Sequence, residues 1–260
     1  MKLYVIKIGG NIIDKEEDLN TFLKKFAAIE GKKILVHGGG KMATKIAEAL
    51  NIPQKMQDGR RITDAETLKL VTMVYAGLIN KTIVSLLQKF ECNAIGLSGA
   101  DGNAIQAKKR EKGNIDYGFA GDIEKINTGL LKDLIEKGLV PVLAPVTHNR
   151  DGQLLNTNAD TIAGETAIAL SEYFDVNLIY GFEKAGVLKD AADENSVISK
   201  LNPVLYSQYK NEKIITEGMI PKLDNAFSAL EKGVKKVIIG KAIEPEDLIE
   251  SRAGTTISTE

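Results

Sequence analysis

The amino-acid sequence predicts an α/β fold with a mostly parallel central sheet covered by helices on both faces. Two features of its 260 residues predict this. Short Val/Ile/Leu-rich runs alternate with longer segments of helical period, the order that parallel strands with crossover helices require. The short runs are continuously apolar rather than alternating, as strands buried on both faces must be. With 43% apolar and 27% charged residues, the chain can bury a sizeable core as one large domain or two intimate lobes.

The first run, residues 3–8, is interrupted only by Lys7, and a helical pattern follows at 15–28 with Gly31 just beyond it. Such a glycine is a common helix terminator. The strand at 33–37 runs through Gly38-Gly39-Gly40 into a helix at 41–51. The pattern at 64–90 spreads Leu70, Val71, Val74, Ile79, Ile83 and Leu87 over more than one stripe. A helix apolar on two sides is buried on two sides, either within the core or between the sheet and a second subunit. A strand at 94–97 precedes a glycine-rich stretch, 98–128, that reads as hairpins and loops. A helix at 128–138 and a strand at 139–143 follow. Residues 147–153 read as a second hairpin turning at Asp151-Gly152. The remaining helices fall at 159–172, 202–210 and 218–232 and the remaining strands at 176–180 and 236–239. Pro221 sits in a first turn, where proline is tolerated. No linker separates the halves, so two lobes would share one sheet.

Composition excludes several functions. The 34 basic and 35 acidic side chains leave a net charge of -1, without the basic excess of a nucleic-acid binder. One cysteine, Cys92, allows no internal disulfide, and two histidines make a His-rich metal site an unpromising reading. The longest apolar run, 139–146, contains two prolines and falls short of a membrane span. With no targeting segment, the expectation is a cytoplasmic protein with neither membrane nor nucleic-acid partners. The P-loop pattern is absent, so any phosphate chemistry uses other apparatus.

Five places can carry chemistry. Gly38-Gly39-Gly40, between a strand and a helix, offers bare N–H groups at a positive helix end. It reads as an anion cradle or as a tight structural turn. Its spacing also fits a loose dinucleotide fingerprint, but the acid expected after the next strand is missing. Lys7, before Gly9-Gly10, sits at the carboxyl end of the first strand, where open α/β sheets bind ligands. Asn156, Asn158 and Asp160 share one side if extended, converging on a helix start as cap or site. Lys222 near a helix N-terminus opposes the dipole, which hints at another purpose. Arg60 and Arg61 suit bidentate carboxylate or phosphate recognition. His37 beside the glycines reads as a structural residue.

Taken in order, Lys7-Ile8-Gly9-Gly10, His37-Gly38-Gly39-Gly40, Gly59-Arg60-Arg61-Ile62-Thr63, Asn156 to Asp160 and Gly218 to Lys222 resemble the amino-acid kinase family, in its acyl-glutamate branch. The resemblance extends over essentially the whole chain. It implies a three-layer α/β/α sandwich around a mostly parallel sheet. Residues 1–173 would form a lobe that binds the acyl amino acid and makes the dimer contact, and 174–260 a nucleotide-binding lobe. The implied reaction is phosphorylation of the side-chain carboxylate of an N-acyl-L-glutamate, N-acetyl foremost and N-succinyl as the variant, by ATP with Mg2+ in arginine biosynthesis. Lys7, Lys222 and Asp160 would be catalytic. Gly39, Gly40, Arg61 and Asn156 would bind the acyl amino acid. Gly10, Asn158, Glu183, Ile214, Ile215 and Thr216 would lie along the nucleotide, and no metal ligand is assigned. Glu183-Lys184-Ala185-Gly186-Val187 departs from the family's Asp-Val-x-Gly-Val. The chain begins directly at the first strand, so the resemblance implies a homodimer insensitive to arginine. A catalytically silent amino-acid or nucleotide sensor on the same fold is the alternative.

Overall fold

A computed structural model describes residues 1–57, 59–190, 192–215 and 219–259; of Pro221 only the backbone is described. Thr216 and Gly218, singled out above, lie outside the described residues. The strands in chain order are β1 (Lys2–Ile8), β2 (Lys32–His37), β3 (Lys55–Gln57), β4 (Arg60–Ile62), β5 (Ala94–Leu97), β6 (Ile105–Lys109) and β7 (Gly121–Ile126). They continue with β8 (Val140–Leu143), β9 (Val146–His148), β10 (Leu154–Asn156), β11 (Asp175–Phe182), β12 (Lys200–Leu201), β13 (Lys236–Lys241) and β14 (Thr255–Ile257).

Eight of them form one sheet in the order β12-β14-β13-β11-β1-β2-β8-β5. From β13 to β5 every neighbouring pair is parallel, and β14 runs antiparallel to β13. This is the expected mostly parallel sheet, and it crosses both halves of the chain without a break. Its two faces bury separate cores. Leu3 and Val5 of β1 face the side covered by helices Thr128–Glu136, Ala159–Leu170 and Ile220–Glu231. Ile6 and Ile8 face Glu16–Ala28 and the long helix Ala65–Lys89. The period-2 alternation of a strand divides these residues between the faces.

The stretch 98–128 folds as the hairpin β6–β7, and 147–153 joins β9 to β10 with Gly152 at φ +79. These four strands make a small sheet, β10-β9-β6-β7, and β3 pairs with β4 beside it. The short helices Gly10–Ile13 and Pro245–Ile249 and strands β3, β4, β12 and β14 have no counterpart in the sequence reading. Each is five residues or fewer, too short for a periodic signal.

The helix Ala65–Lys89 corrects one expectation. Its 25 residues, with a mean hydropathy of 1.6 in the most apolar window, have the length and composition of a membrane span. Counting uninterrupted apolar runs misses such a helix. Its apolar surplus is explained by core packing: Leu70, Val71, Ile79, Ile83 and Leu87 are all buried.

Candidate active site

β1 has β2 on one side and β11 on the other, so successive connections leave it in opposite directions. Such a switch point opens a crevice beyond the carboxyl ends of the strands. A cleft of about 250 Å³ lies there, walled by Lys7, Gly10, Gly39, Arg61, Asn156 and Asp160 among others. Residues 150 positions apart meet because the loops after β1 and β2 and the start of helix Ala159–Leu170 reach the same sheet edge.

Lys7 continues the Leu3–Val5 face and therefore points toward that helix. Its ammonium lies 2.7 Å from Asp160 Oδ1. Lys222, in the first turn of Ile220–Glu231, reaches Asp160 Oδ2 at 3.9 Å and passes over the Phe182 ring. One carboxylate thus gathers two lysines from opposite halves of the chain. Burial pushes the Asp160 carboxyl up, but the two ammoniums outweigh it and hold it below the usual range. The trio carries a net charge of about +1 at neutral pH.

The glycines form the opposite wall. Gly38 N–H donates to Ile8 O at 3.0 Å, fastening the loop after β2 to β1. Gly39 adopts φ +153, and a Cβ there would fall 2.3 Å from Ile79 Cδ1. Only glycine fits that position. Gly40 opens helix Gly40–Ala49, so unpaired N–H groups face the cleft at a helix N-terminus. The tight-turn reading of the triplet is realised, and the same backbone places a helix N-terminus at the cleft.

Arg61 is 8% exposed. Its guanidinium donates to Gly40 O and Thr44 Oγ1, both at 2.9 Å, and to Gln54 Oε1. All three acceptors are neutral, and no acidic side chain pairs with Arg61 among the described residues. A buried guanidinium bonded only to neutral acceptors keeps its charge available to an anion. Asn156 donates to Thr63 Oγ1 at 3.0 Å and Asn158 caps its helix by accepting from Asp160 N and Thr161 N. The capping reading is therefore right for Asn158, although all three residues of the motif border the cleft.

The expected nucleotide residues are less gathered. Glu183 leaves the cleft for a neighbouring groove, where its carboxylate accepts from the Asn11 amide. Asn11 in turn accepts from Lys41. Ile215 is a core residue packed with Leu223 and Phe227, and Ile214 bonds through its N–H to Tyr209 O. Neither borders the cleft. The Ile215 side chain packs in the core, so any part this segment plays toward a nucleotide falls to its backbone.

Sequence reasoning missed Tyr75, Arg110 and Tyr117, which also border the cleft. Tyr75 falls within the two-sided apolar pattern at 64–90, where an aromatic reads as core. Arg110 and Tyr117 belonged to the stretch without a periodic signal.

His37 is structural, as expected. It is fully buried, donates from Nδ1–H to Gly38 O at 2.8 Å, and accepts the Asn80 amide on Nε2 at 3.1 Å. Burial depresses its pKa to about 4. The unfolded chain then binds a proton between pH 6.5 and 4 that the native state refuses, so stability falls as pH drops through that window. The loss expected at pH 4 relative to pH 7 is about 3 kcal/mol. Urea titrations of the protein and of His37→Gln should differ by that pH-dependent term; identical profiles would contradict the buried neutral imidazole.

The comparisons with known proteins agree with this geometry. Residues 2–241 match the model of the amino acid kinase family. The chain belongs to that family, and it is a kinase. It is similar to the acetylglutamate kinase of Cytophaga hutchinsonii, with 57% identity over 96% of this chain and 94% of the relative. The acetylglutamate kinase of Bacteroides fragilis is likewise 57% identical, over 98% of this chain and 97% of the relative. Among solved structures, smu.665 from Streptococcus mutans superposes with a TM-score of 0.80 at 28% identity, covering 99% of both chains.

Proposed function

We propose that the protein transfers the γ-phosphoryl group of ATP to the side-chain carboxylate of an N-acyl-L-glutamate, with N-acetyl-L-glutamate first among candidates. One observation carries this reading. A single cleft joins Lys7 and Asp160, whose carboxylate also draws in Lys222 from beyond the lining, to a buried guanidinium that has no acidic partner among the described residues. The lysine pair suits a phosphoryl group, and Arg61 suits the α-carboxylate beside the acylated nitrogen.

The nucleophile is a carboxylate, ionised at pH 7, so the reaction needs no general base. A carboxylate oxygen attacks the γ-phosphorus as the bond to the β,γ-bridging oxygen breaks, giving an acyl phosphate and ADP. Catalysis then consists of positioning and neutralising charge. Lys7 and Lys222 stand on either side of the phosphoryl position with Asp160 orienting both. The N–H groups of Gly10 and Gly39 donate to its oxygens. Gly40 and Asn156 help Arg61 hold the acyl amino acid. Mg2+ would arrive on the nucleotide phosphates and neutralise their charge.

Residues 1–173 serve as the acyl amino-acid lobe and 174–260 as the nucleotide lobe, with Asn158, Glu183 and Ile214 nearest the boundary. A homodimer pairs through helix Ala65–Lys89, whose outer side exposes Met73 and Leu78 at 58% and 52%. Cytoplasmic arginine biosynthesis is the setting this chemistry fits. A second acyl group is favoured by a specific feature: Arg60 borders the cleft beside Arg61, one guanidinium more than one α-carboxylate needs, whereas Arg110, which also borders it, is paired with Asp122 at 2.6 Å. N-succinyl-L-glutamate would supply a further carboxylate.

The test is an acyl-phosphate trap. Protein, MgATP and hydroxylamine are incubated with N-acetyl-L-glutamate, N-succinyl-L-glutamate, free glutamate or no acceptor. Hydroxamate with an N-acyl glutamate is expected, and the relative rates identify the acyl group. Hydroxamate only with free glutamate would undo the Arg61 and Asn156 roles. None with any acceptor would favour the silent sensor.

A further inference from the structure

The long helix Ala65–Lys89 is not α-helical throughout: Thr72–Ile79 is a π-helical segment. π-helical turns are rare and cost regular hydrogen bonding, so an eight-residue one calls for a reason. Its inner side supplies one. Tyr75 and Ile79 close on Gly39: a Cβ at that glycine would lie 3.1 Å from the Tyr75 ring and 2.3 Å from Ile79 Cδ1. Asn80, the next residue, donates to His37 Nε2 at 3.1 Å and to Val142 O at 3.0 Å. Residues 75, 79 and 80 thus all meet the segment 37–39. In an α-helix, at 100° per residue, residue 80 would point about 140° away from residue 75. The wider i→i+5 turn brings it back to the same side.

From the far side, Arg61 grips the next residue through Gly40 O at 2.9 Å. The glycine loop is therefore held between the π-helical turn and the guanidinium. Tyr75 occupies the junction. It is 5% exposed and lines the cleft together with Arg61; burial raises its phenol pKa, and the Arg61 charge offsets part of that rise.

We infer that the π-helical turn is the positioning element of the phosphoryl cradle, with Tyr75 as its positioning residue. Its ring sets where the Gly39 N–H points, and its hydroxyl steadies Arg61. The inference rests on the phosphotransfer reading above. It goes beyond that reading by assigning a role to a helix whose sequence reads only as core.

The test separates ring from hydroxyl. Tyr75→Phe keeps the ring over Gly39, so kcat is expected within twofold of wild type. KM for the acyl amino acid should rise about fivefold, and KM for ATP should not change. Tyr75→Leu keeps an apolar branched side chain but not the flat ring, and Tyr75→Ala removes both. In these kcat should fall about tenfold or more, while near-ultraviolet circular dichroism and urea midpoints establish that the variants are folded. Should Tyr75→Ala fail to fold, Tyr75→Leu carries the comparison. Folded Tyr75→Leu with wild-type kcat, or Tyr75→Phe as impaired in kcat as Tyr75→Leu, would overturn the inference. Loss of the wild-type hydroxamate signal would instead remove the phosphotransfer reading, so the two failures are distinguishable.

Discussion

Lys222→Ala is expected to lower kcat by about 10²–10³-fold while leaving the fold in place. Losing one preorganised donor to a developing charge costs about 2.7–4 kcal/mol of transition-state stabilisation. Lys222 is partly exposed and 3.9 Å from Asp160, so its removal leaves Asp160 paired with Lys7 and disturbs little else. Lys7→Ala should cost as much in kcat and should also lower stability. It removes the 2.7 Å partner of a mostly buried carboxylate, and a buried charge left without its closest partner is strongly unfavourable. Because Asp160 is held low by the ammoniums, its contribution is present above the unfolded carboxyl range and is lost as pH falls through its folded pKa. Steady-state kinetics with urea unfolding at pH 7 separate the two effects. Wild-type kcat in either variant would remove that lysine from the phosphoryl site.

Arg61→Leu should raise KM for the acyl amino acid by about 10²-fold, with kcat and KM for ATP changed far less. A charge-assisted bond from a buried guanidinium to a carboxylate contributes about 1.5–3 kcal/mol. Leucine also strips the donor from Gly40 O and Thr44 Oγ1, so Arg61→Lys is the necessary companion. It restores charge without the planar fork and should recover only part of the affinity. An unchanged KM in both variants would place the α-carboxylate elsewhere. A fall in kcat without a change in KM would assign Arg61 to the glycine loop alone.

Much of this molecule is legible along the chain. The six long sheet strands and the seven main helices were expected within a few residues, because continuous apolar runs and 3.6-residue periods are local signals. Lys7, Asp160 and Lys222 were each visible as chemical oddities: a lysine in an apolar strand, an acid among asparagines, a lysine opposing a helix dipole. Their joint reading came from the resemblance, since no spacing law connects residues 7, 160 and 222. For Glu183 and Ile215 the resemblance named motif positions, and only the structure placed the side chains, one in a neighbouring groove and the other in the core. Position in a motif says nothing about whether a side chain faces a cleft, a neighbouring groove or the core.

By itself, the sequence determined the layered fold, the strand ends at which a site would form and the residue types that could handle phosphate and carboxylate. These follow from periodicity, glycine placement and charge, which are written one residue after another. Only the tertiary structure decided that one carboxylate holds two lysines, that Arg61 is buried with no acidic partner among the described residues and that a π-helical turn grips Gly39. Those facts depend on which elements the sheet brings side by side. Burial, and the low dielectric that gives a charge its strength, exist only after the chain has closed around them.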